Sequence, residues 1–492
     1  MAAAMAPAPA GAADKVVILH TNDTHSQIDP DRQKNRGGVL RRKALLDSIR
    51  QAEPNVLLVD AGDAVQGSLY YTLFGGEVEQ RMLNRLGYDV QIIGNHEFDN
   101  GMEELADNYA TANASILSAN NLFDGTPLDG LFQPYVIKET GGHRIAFIGV
   151  NINPDGLISP VKSKGVVYKD AVEEVNRIAA KLRKEAEVDA VVVVSHIGYS
   201  GDNSTKGYTD VDLAALCPDV DVIIGGHSHT ALTPADPRIW IRQADGDSML
   251  VVQNGKGGQY VGAVELDFPK DGPMQKSWRR YAVDSRLDNR IDSVLACELA
   301  PYRQKVDSIY AVPITEATAD FSNDAMRNFA ADFVKIRGEK LSKGRRVDLA
   351  VMNKGGIRQN FVKGVLTRGN IIDVFPFDNR VVVLEVRGDS LLELFNTFAK
   401  QGGQGVSANV EALMNTSRTG VDWVTIDGAD LDPRRTYRVA TIDYLAEGGD
   451  DMSQFKSART VATSDKVLYD DMIAWFTKRN KPISPDPTQR MK

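Results

Sequence analysis

From residue 15 to about 286, apolar positions fall in short, nearly continuous runs, separated by polar loops and amphipathic stretches. The runs are 16–19, 55–59, 90–93, 116–117, 145–150, 190–194, 222–224 and 249–252. Runs this short and this uniformly apolar predict strands buried on both faces, as in a layered α/β domain. Between them, residues 171–186 place Val172, Val175, Ile178, Ala179 and Leu182 at helical spacing, which predicts a helix packed on the sheet. A charged stretch, 284–310, carries Ile291, Leu295, Leu299 and Tyr302 at the same spacing and predicts a linking helix.

After residue 312 the texture changes to glycine-punctuated segments. Strands are expected at 347–352, 381–386, 421–426 and 437–442, with a helix at 390–400, so the second part reads as a mixed α+β domain. No internal repeat relates the halves. A chain of 492 residues exceeds what one core usually supports, and two domains are expected: 15–285 and 312–492, joined by a linker helix at 286–311. Residues 1–14 form an Ala/Pro/Gly run that lacks a charged start and a long apolar core, so they are expected to be a tail or a signal remnant rather than a complete signal peptide.

Composition changes this picture little. With 42% hydrophobic and 25% charged residues the chain is an ordinary globular one, and a net charge of -9 argues against a surface that tracks a nucleic-acid polymer. No stretch approaches the ~20 apolar residues of a transmembrane helix. Cys217 and Cys297 are too few for a disulfide framework and are expected to be buried structural thiols.

The candidate chemistry lies just past the ends of the first-domain strands, the edge where open α/β sheets bind ligands. There stand Thr21-Asn22-Asp23-Thr24-His25, Gly62-Asp63, Gly94-Asn95-His96-Glu97-Phe98-Asp99, Ser195-His196 and Gly225-Gly226-His227-Ser228-His229. Five of the seven histidines fall in these loops. Oxygen and imidazole donors of this kind suit borderline divalent cations such as Zn, Mn or Co. An Asp-x-His or His-x-His spacing in an extended turn would aim two side chains the same way, because alternate residues share a face. A carboxylate such as Asp63 can bridge two cations, and Asn95 can add an oxygen without charge. His20 and His143 lie outside the set and are read as structural.

In the order and spacing of these motifs the chain resembles the 5'-nucleotidase family, which includes UDP-sugar hydrolases and 2',3'-cyclic nucleotide phosphodiesterases. The resemblance implies a four-layer calcineurin-like metallophosphoesterase domain followed by a smaller α+β substrate-binding domain. It implies that Asp23, His25, Asp63 and His229 hold one metal and that Asp63, Asn95, His196 and His227 hold the other. It assigns His96 and Asp99 the role of a dyad in which the carboxylate orients an imidazole toward the phosphoryl group. The expected reaction is hydrolysis of nucleotide phosphate esters by a metal-activated water. Alternatives are cyclic-phosphodiester or UDP-sugar hydrolysis, another pyrophosphatase reaction of this fold, a broad phosphomonoesterase, and, in a different class, a non-catalytic nucleotide-binding module.

In the second domain, Asn353-Lys354-Gly355-Gly356-Ile357-Arg358 resembles the family's substrate signature, which makes Arg358 the phosphate contact; Lys354 and Asn379 are weaker candidates. Tyr444 resembles one aromatic wall of a base clamp and Asp450 the acid that meets the nucleoside. Relatives usually carry a second stacking Phe after the 390–400 helix, whereas residues 402–409 contain no aromatic. The expected partner is a small nucleotide or sugar phosphate, the protein a monomer or weak oligomer, and its compartment, by the resemblance, periplasmic or extracellular.

Overall fold

The computed structural model describes residues 14–31, 34–200, 207–243 and 246–492. The chain divides into two compact units. One holds the chain up to Gln66 with Phe74–Asn153 and Lys162–Pro301; the other holds Gly67–Leu73, Pro154–Val161 and Tyr302–Lys492.

Each apolar run of the first unit forms a strand, and the strands build two six-stranded sheets. In one, Lys15–Thr21, Val56–Asp60, Val90–Ile92 and Ser115–Leu117 run parallel, and Tyr260–Asp267 pairs antiparallel to Lys15–Thr21 with Gln275–Ala282 beyond it. In the other, His143–Val150, Ala190–Ser195, Val222–Ile224 and Ser248–Val252 run parallel, flanked by antiparallel Tyr135–Thr140 and Trp240–Arg242. Side chains of both sheets, among them Ile18, Val59, Phe147, Val192, Ile223 and Val251, share one core. Helix Ala171–Glu185 buries Val175, Ile178, Ala179 and Leu182 and is capped by Asp170, whose carboxylate accepts from Glu173 N–H. Parallel pairing sends every central strand of a sheet in one direction, so the loops that follow them gather at one edge. The first unit's five polar motifs lie there, each after one of its parallel strands.

His20 is fully buried and accepts the indole N–H of Trp278 at 3.0 Å, while His143 stacks on Phe268 with ring centroids 3.9 Å apart. Both are structural, as expected. The stretch 284–310 is not one helix: Ser285–Arg290 is a 3-10 turn, and the helix is Ser293–Tyr310, with the division between units falling inside it at Pro301. Cys297 corrects the expectation of two buried thiols. Cys217 is buried, but Cys297 stands two residues from buried Leu295 and from buried Leu299, so the helical period turns it outward and it is exposed.

The second unit centres on a five-stranded sheet in the order Gly405–Val406, Leu349–Met352, Thr436–Ile442, Arg380–Arg387 and Arg459–Val467. Helix Asn323–Leu341 packs on it through Ala330, Ala331, Val334 and Gly338. A Cβ at Gly338 would stand 2.6 Å from Ala440, so only glycine lets this helix lie so close. Among the described residues no helix is long and apolar enough to cross a membrane.

Candidate metal centre

The loops that carry the candidate ligands are built unlike the extended turns expected. Asp23, His25, Asp63, His227 and His229 all have left-handed backbones, with φ of 49, 46, 51, 72 and 53°. Such a conformation costs a non-glycine residue about 1 to 2 kcal/mol, although Asp and His tolerate it better than most. The donors are therefore brought together by backbone that doubles back at the ligand itself.

Three groups of donors converge. Asp23, His25 and His229 offer ligand atoms within 4.8 Å of one another; so do Asp63, His196 and His227, and so do His25, Asp63 and His96. The Nε2 atoms of His25 and His229 lie 2.9 Å apart, and His229 Nε2 is 3.5 Å from Asp23 Oδ1. His196 Nε2 lies 3.2 Å from Asp63 Oδ2, and His227 Nδ1 is 2.9 Å from Asn95 Oδ1. His25 Nε2 stands 4.0 Å from both Asp23 and Asp63, so Asp63 adjoins both groups.

The chemistry of this donor set fits cations. His196 Nδ1 meets the Ala61 carbonyl at 2.7 Å and must donate to it, which leaves the Nε2 lone pair facing Asp63. That Nε2 is buried and has no hydrogen-bond partner among the described residues. Lone pairs thus face carboxylates and other lone pairs, an arrangement that calls for positive charge between them. Titration expresses the same demand. Burial opposes a charge on His196, but the adjoining Asp63 and nearby Asp23 outweigh it and raise the imidazole to about 10. Burial likewise opposes ionisation of Asp63, yet His196, His96 and His25 hold its carboxyl well below the usual range.

Three glycines make room for His196. A Cβ on Gly62 would stand 2.8 Å from its Nδ1, one on Gly226 2.7 Å from the same atom, and one on Gly94 2.6 Å from its Nε2. Beside this cradle the 3-10 turn His96–Phe98 aims His96 Nδ1 at Asp99 Oδ2, 2.8 Å away, while His96 N–H donates to Asp63 Oδ1 at 3.0 Å. His96, Asp99 and Asp63 are thereby locked to one another.

Comparison with known proteins gives the family. Residues 16–231 match the family model of the calcineurin-like phosphoesterases, and residues 305–457 match that of the 5'-nucleotidase C-terminal domain. The chain belongs to the 5'-nucleotidase family. A 5'-nucleotidase of Vibrio cholerae is 29% identical, across 91% of this chain and 88% of that protein. The Homo sapiens 5'-nucleotidase is 26% identical, across 98% and 92%. The crystal structure of a 5'-nucleotidase precursor from Thermus thermophilus superposes with a TM-score of 0.85 at 28% identity, covering 97% of this chain and 99% of that one. This member of the 5'-nucleotidase family is accordingly a hydrolase of phosphoric esters with the expected two-domain α/β architecture.

Several buried polar residues of this 5'-nucleotidase-family site were not singled out from the sequence. Glu97 accepts the backbone N–H groups of Asp63, Ala64 and Gly94 at 3.2, 2.8 and 2.7 Å, tying two ligand loops together. Burial, then the charge of Asp63, lifts its pKa to about 8. Asp60 receives Thr21 Oγ1 at 2.6 Å and Gly62 N–H at 3.1 Å, and Asp210 receives Ser195 Oγ at 2.6 Å. Glu97 stood inside a motif already quoted; Asp60 and Asp210 had no signal beyond adjacency to a strand end or helix start.

The second unit places its candidates as follows. Arg358 is half-buried, its guanidinium 5.9 Å from the ring centre of Phe377. Lys354 donates Nζ to the Gln401 carbonyl at 2.8 Å, and Asn379 is half-buried, with its carbonyl receiving Leu468 N–H. Tyr444 and Asp450 do come together, but against each other: the phenol donates to Asp450 Oδ1 at 2.8 Å, and Asn353 Nδ2 donates to Asp450 Oδ2 at 2.6 Å. Around the aromatic-free segment 402–409, amides interlock. Gln401 Nε2 donates to the Asp450 carbonyl at 2.8 Å, and Gln404 Oε1 accepts from Lys354 N–H at 2.7 Å.

Proposed function

We propose that this protein hydrolyses nucleotide-type phosphate esters with two divalent cations, one held by Asp23, His25, Asp63 and His229, the other by Asp63, Asn95, His196 and His227. The observation that carries this reading is the meeting of two donor groups at Asp63 beside the His96–Asp99 pair. Bound cations would supply Lewis-acid charge to the phosphoryl oxygens and to the attacking water. The chain's own residues do the rest. With Nδ1 committed to Asp99, His96 keeps Nε2 for a proton directed at the phosphoryl group or its leaving oxygen. Asp99 fixes that ring, and the bond from His96 N–H to Asp63 fixes the ring against the bridging carboxylate. Arg358 is the candidate phosphate contact of the second unit, with Tyr444, Asp450, Asn379 and Lys354 as candidates for the remainder of the substrate.

The donor set suits zinc, manganese or cobalt. The aromatic-free segment 402–409 favours a broad ester range, because losing one stacking face costs about 1 to 3 kcal/mol in base affinity. By family resemblance the setting is periplasmic or extracellular, and the protein is taken as a monomer or weak oligomer; fractionation and light scattering test the two. The deciding experiment is metal analysis of the purified protein together with phosphate release from AMP, UDP-glucose, 2',3'-cyclic AMP and simple sugar phosphates. Turnover that is lost on chelation and returns with metal is expected. Absence of bound metal, or activity indifferent to chelation, would overturn the reading, and a preference for AMP over sugar phosphates beyond roughly several hundred-fold would overturn the breadth.

A further inference from the structure

The loop Gly226–Thr230 must send two neighbouring histidines to two different cations, and the structure contains a device that does so. Strand Ser248–Val252 pairs in parallel with Val222–Ile224, with Val252 opposite Ile224. Gln253, the next residue, therefore emerges beside Gly225 and Gly226, and it is fully buried. Its amide reaches three alternate residues of the loop. Nε2 donates to the Gly226 carbonyl at 2.6 Å, while Oε1 accepts Ser228 Oγ at 3.1 Å and the backbone N–H of Thr230. Ser228 Oγ is held further, 2.8 Å from Thr230 Oγ1 and accepting Tyr199 N–H at 3.0 Å. Positions 226, 228 and 230 thus face Gln253, while 227 and 229 carry the ligands.

The two histidines between these anchors have left-handed backbones, with φ of 72 and 53°. Strain of that kind persists only where surrounding bonds over-determine the conformation. One amide that binds on both sides of each histidine supplies that constraint, and a side chain with both a donor and an acceptor is needed, since the loop offers a carbonyl at 226 and N–H and O–H groups at 228 and 230.

We propose that Gln253 is a positioning residue that fixes the Gly226–Thr230 loop so that His227 and His229 reach separate cations, an inference that rests on the two-cation reading above. It predicts a signature that no ligand but the shared Asp63 would give, namely weakening of both ions at once.

The test is titration of the chelated full-length protein with Zn²⁺ and Co²⁺ against a chelating dye, together with the visible spectrum of the cobalt form. The variants are Gln253→Glu, which keeps the acceptor but sets a second oxygen against the Gly226 carbonyl, and Gln253→Met, which removes both functions at similar volume. Both ions should bind about 10- to 100-fold more weakly, the usual effect of losing a group that orients ligands. The cobalt spectrum should change, and turnover should recover as metal is raised to saturation. His227→Ala should weaken one ion only. Gln243→Leu removes another buried glutamine of the same unit, one bonded to the Cys217 carbonyl, and controls for simple destabilisation, with metal affinity unchanged. Unaltered affinity in both Gln253 variants, loss of a single ion, or chelated variants that no longer fold would each overturn the proposal. Wild-type protein that binds fewer than two ions would overturn the two-cation reading instead.

Discussion

Gly94→Ala isolates the geometry of Asp63, the proposed bridging carboxylate. Gly94 does not require a left-handed backbone, so alanine adds no conformational strain there and its effect is steric. The new Cβ would lie 2.2 Å from Asp63 Oδ1, 2.8 Å from Asp63 Cγ and 2.6 Å from His196 Nε2. Ordinary contact begins at 3.4 Å, so Asp63 would have to retreat by about 1.2 Å. Metal sites tolerate about 0.2 Å in ligand distance, so the shift exceeds the tolerance roughly sixfold. Asp63 cannot make it freely, being held by His96 N–H and facing His196 Nε2 at 3.2 Å. Because Asp63 and His196 are both displaced, a loss at the upper end of the usual ligand-orienting range, about 100-fold or more in metal affinity, is expected. Stability of the chelated protein should fall by about 1 to 3 kcal/mol, the usual cost of overpacking a closed site. Dye-competition metal titrations and thermal melts in chelator measure the two effects. Gly125→Ala is the control, since its φ of 71° brings strain but no neighbour lies within 4 Å, and it should leave metal affinity untouched. If Gly94→Ala bound both ions with wild-type affinity, the assignment of Asp63 as bridge would be refuted.

His96→Asn should retain both metals and lose about 10²- to 10⁴-fold in kcat, the usual worth of a positioned acid or base, and metal titration beside steady-state kinetics checks both halves. Arg358→Ala should raise KM for phosphate esters more than it lowers kcat; an unchanged KM would remove Arg358 from the substrate contacts. His20 should contribute to acid sensitivity. Burial, with Arg280 nearby, lowers its pKa from 6.5 to about 3, and protonation of Nε2 would abolish the bond from Trp278. Between these values the unfolded chain binds a proton that the folded chain excludes, so stability falls as pH drops from 6.5 toward 3, by about 1.4 kcal/mol per unit. Urea unfolding of the chelated His20→Gln variant should show a shallower pH slope by about one proton, and an equal slope would contradict the assignment.

The sequence made the first unit's inner strands legible because burial on both faces leaves an unbroken apolar run, as in Ala190–Ser195. Gln275–Ala282 escaped notice for the opposite reason. It lies at a sheet edge with mixed exposure, and Lys276, Arg279 and Arg280 give it the look of a loop. Helix Asn323–Leu341 also passed unmarked. Five of its nine buried residues, Ala325, Asn328, Ala330, Ala331 and Gly338, are small or polar; they carry little apolar signal yet allow the helix to lie close to its sheet.

The site divides along a similar line. Histidine and aspartate beside glycine at strand ends announce themselves, because few other arrangements concentrate donors that way. Residues that hold those donors do not, since Gln253 or Asp60 reads in sequence like any polar residue and becomes informative only when burial and three-dimensional partners are known. The left-handed ligands sharpen the point. Asp23, His25, Asp63, His227 and His229 were chosen as donors for their chemistry, yet Asp and His are also among the side chains that accept positive φ with least penalty. One choice of residue therefore meets two demands, coordination and a backbone that turns back on itself. The strain that remains, about 1 kcal/mol or more at each position, has to be held by bonds outside the ligand set. Glu97 supplies them at Asp63 and Gln253 on either side of His227 and His229, while Asp23 and His25 are tied by backbone bonds to Gly62 and Asp63.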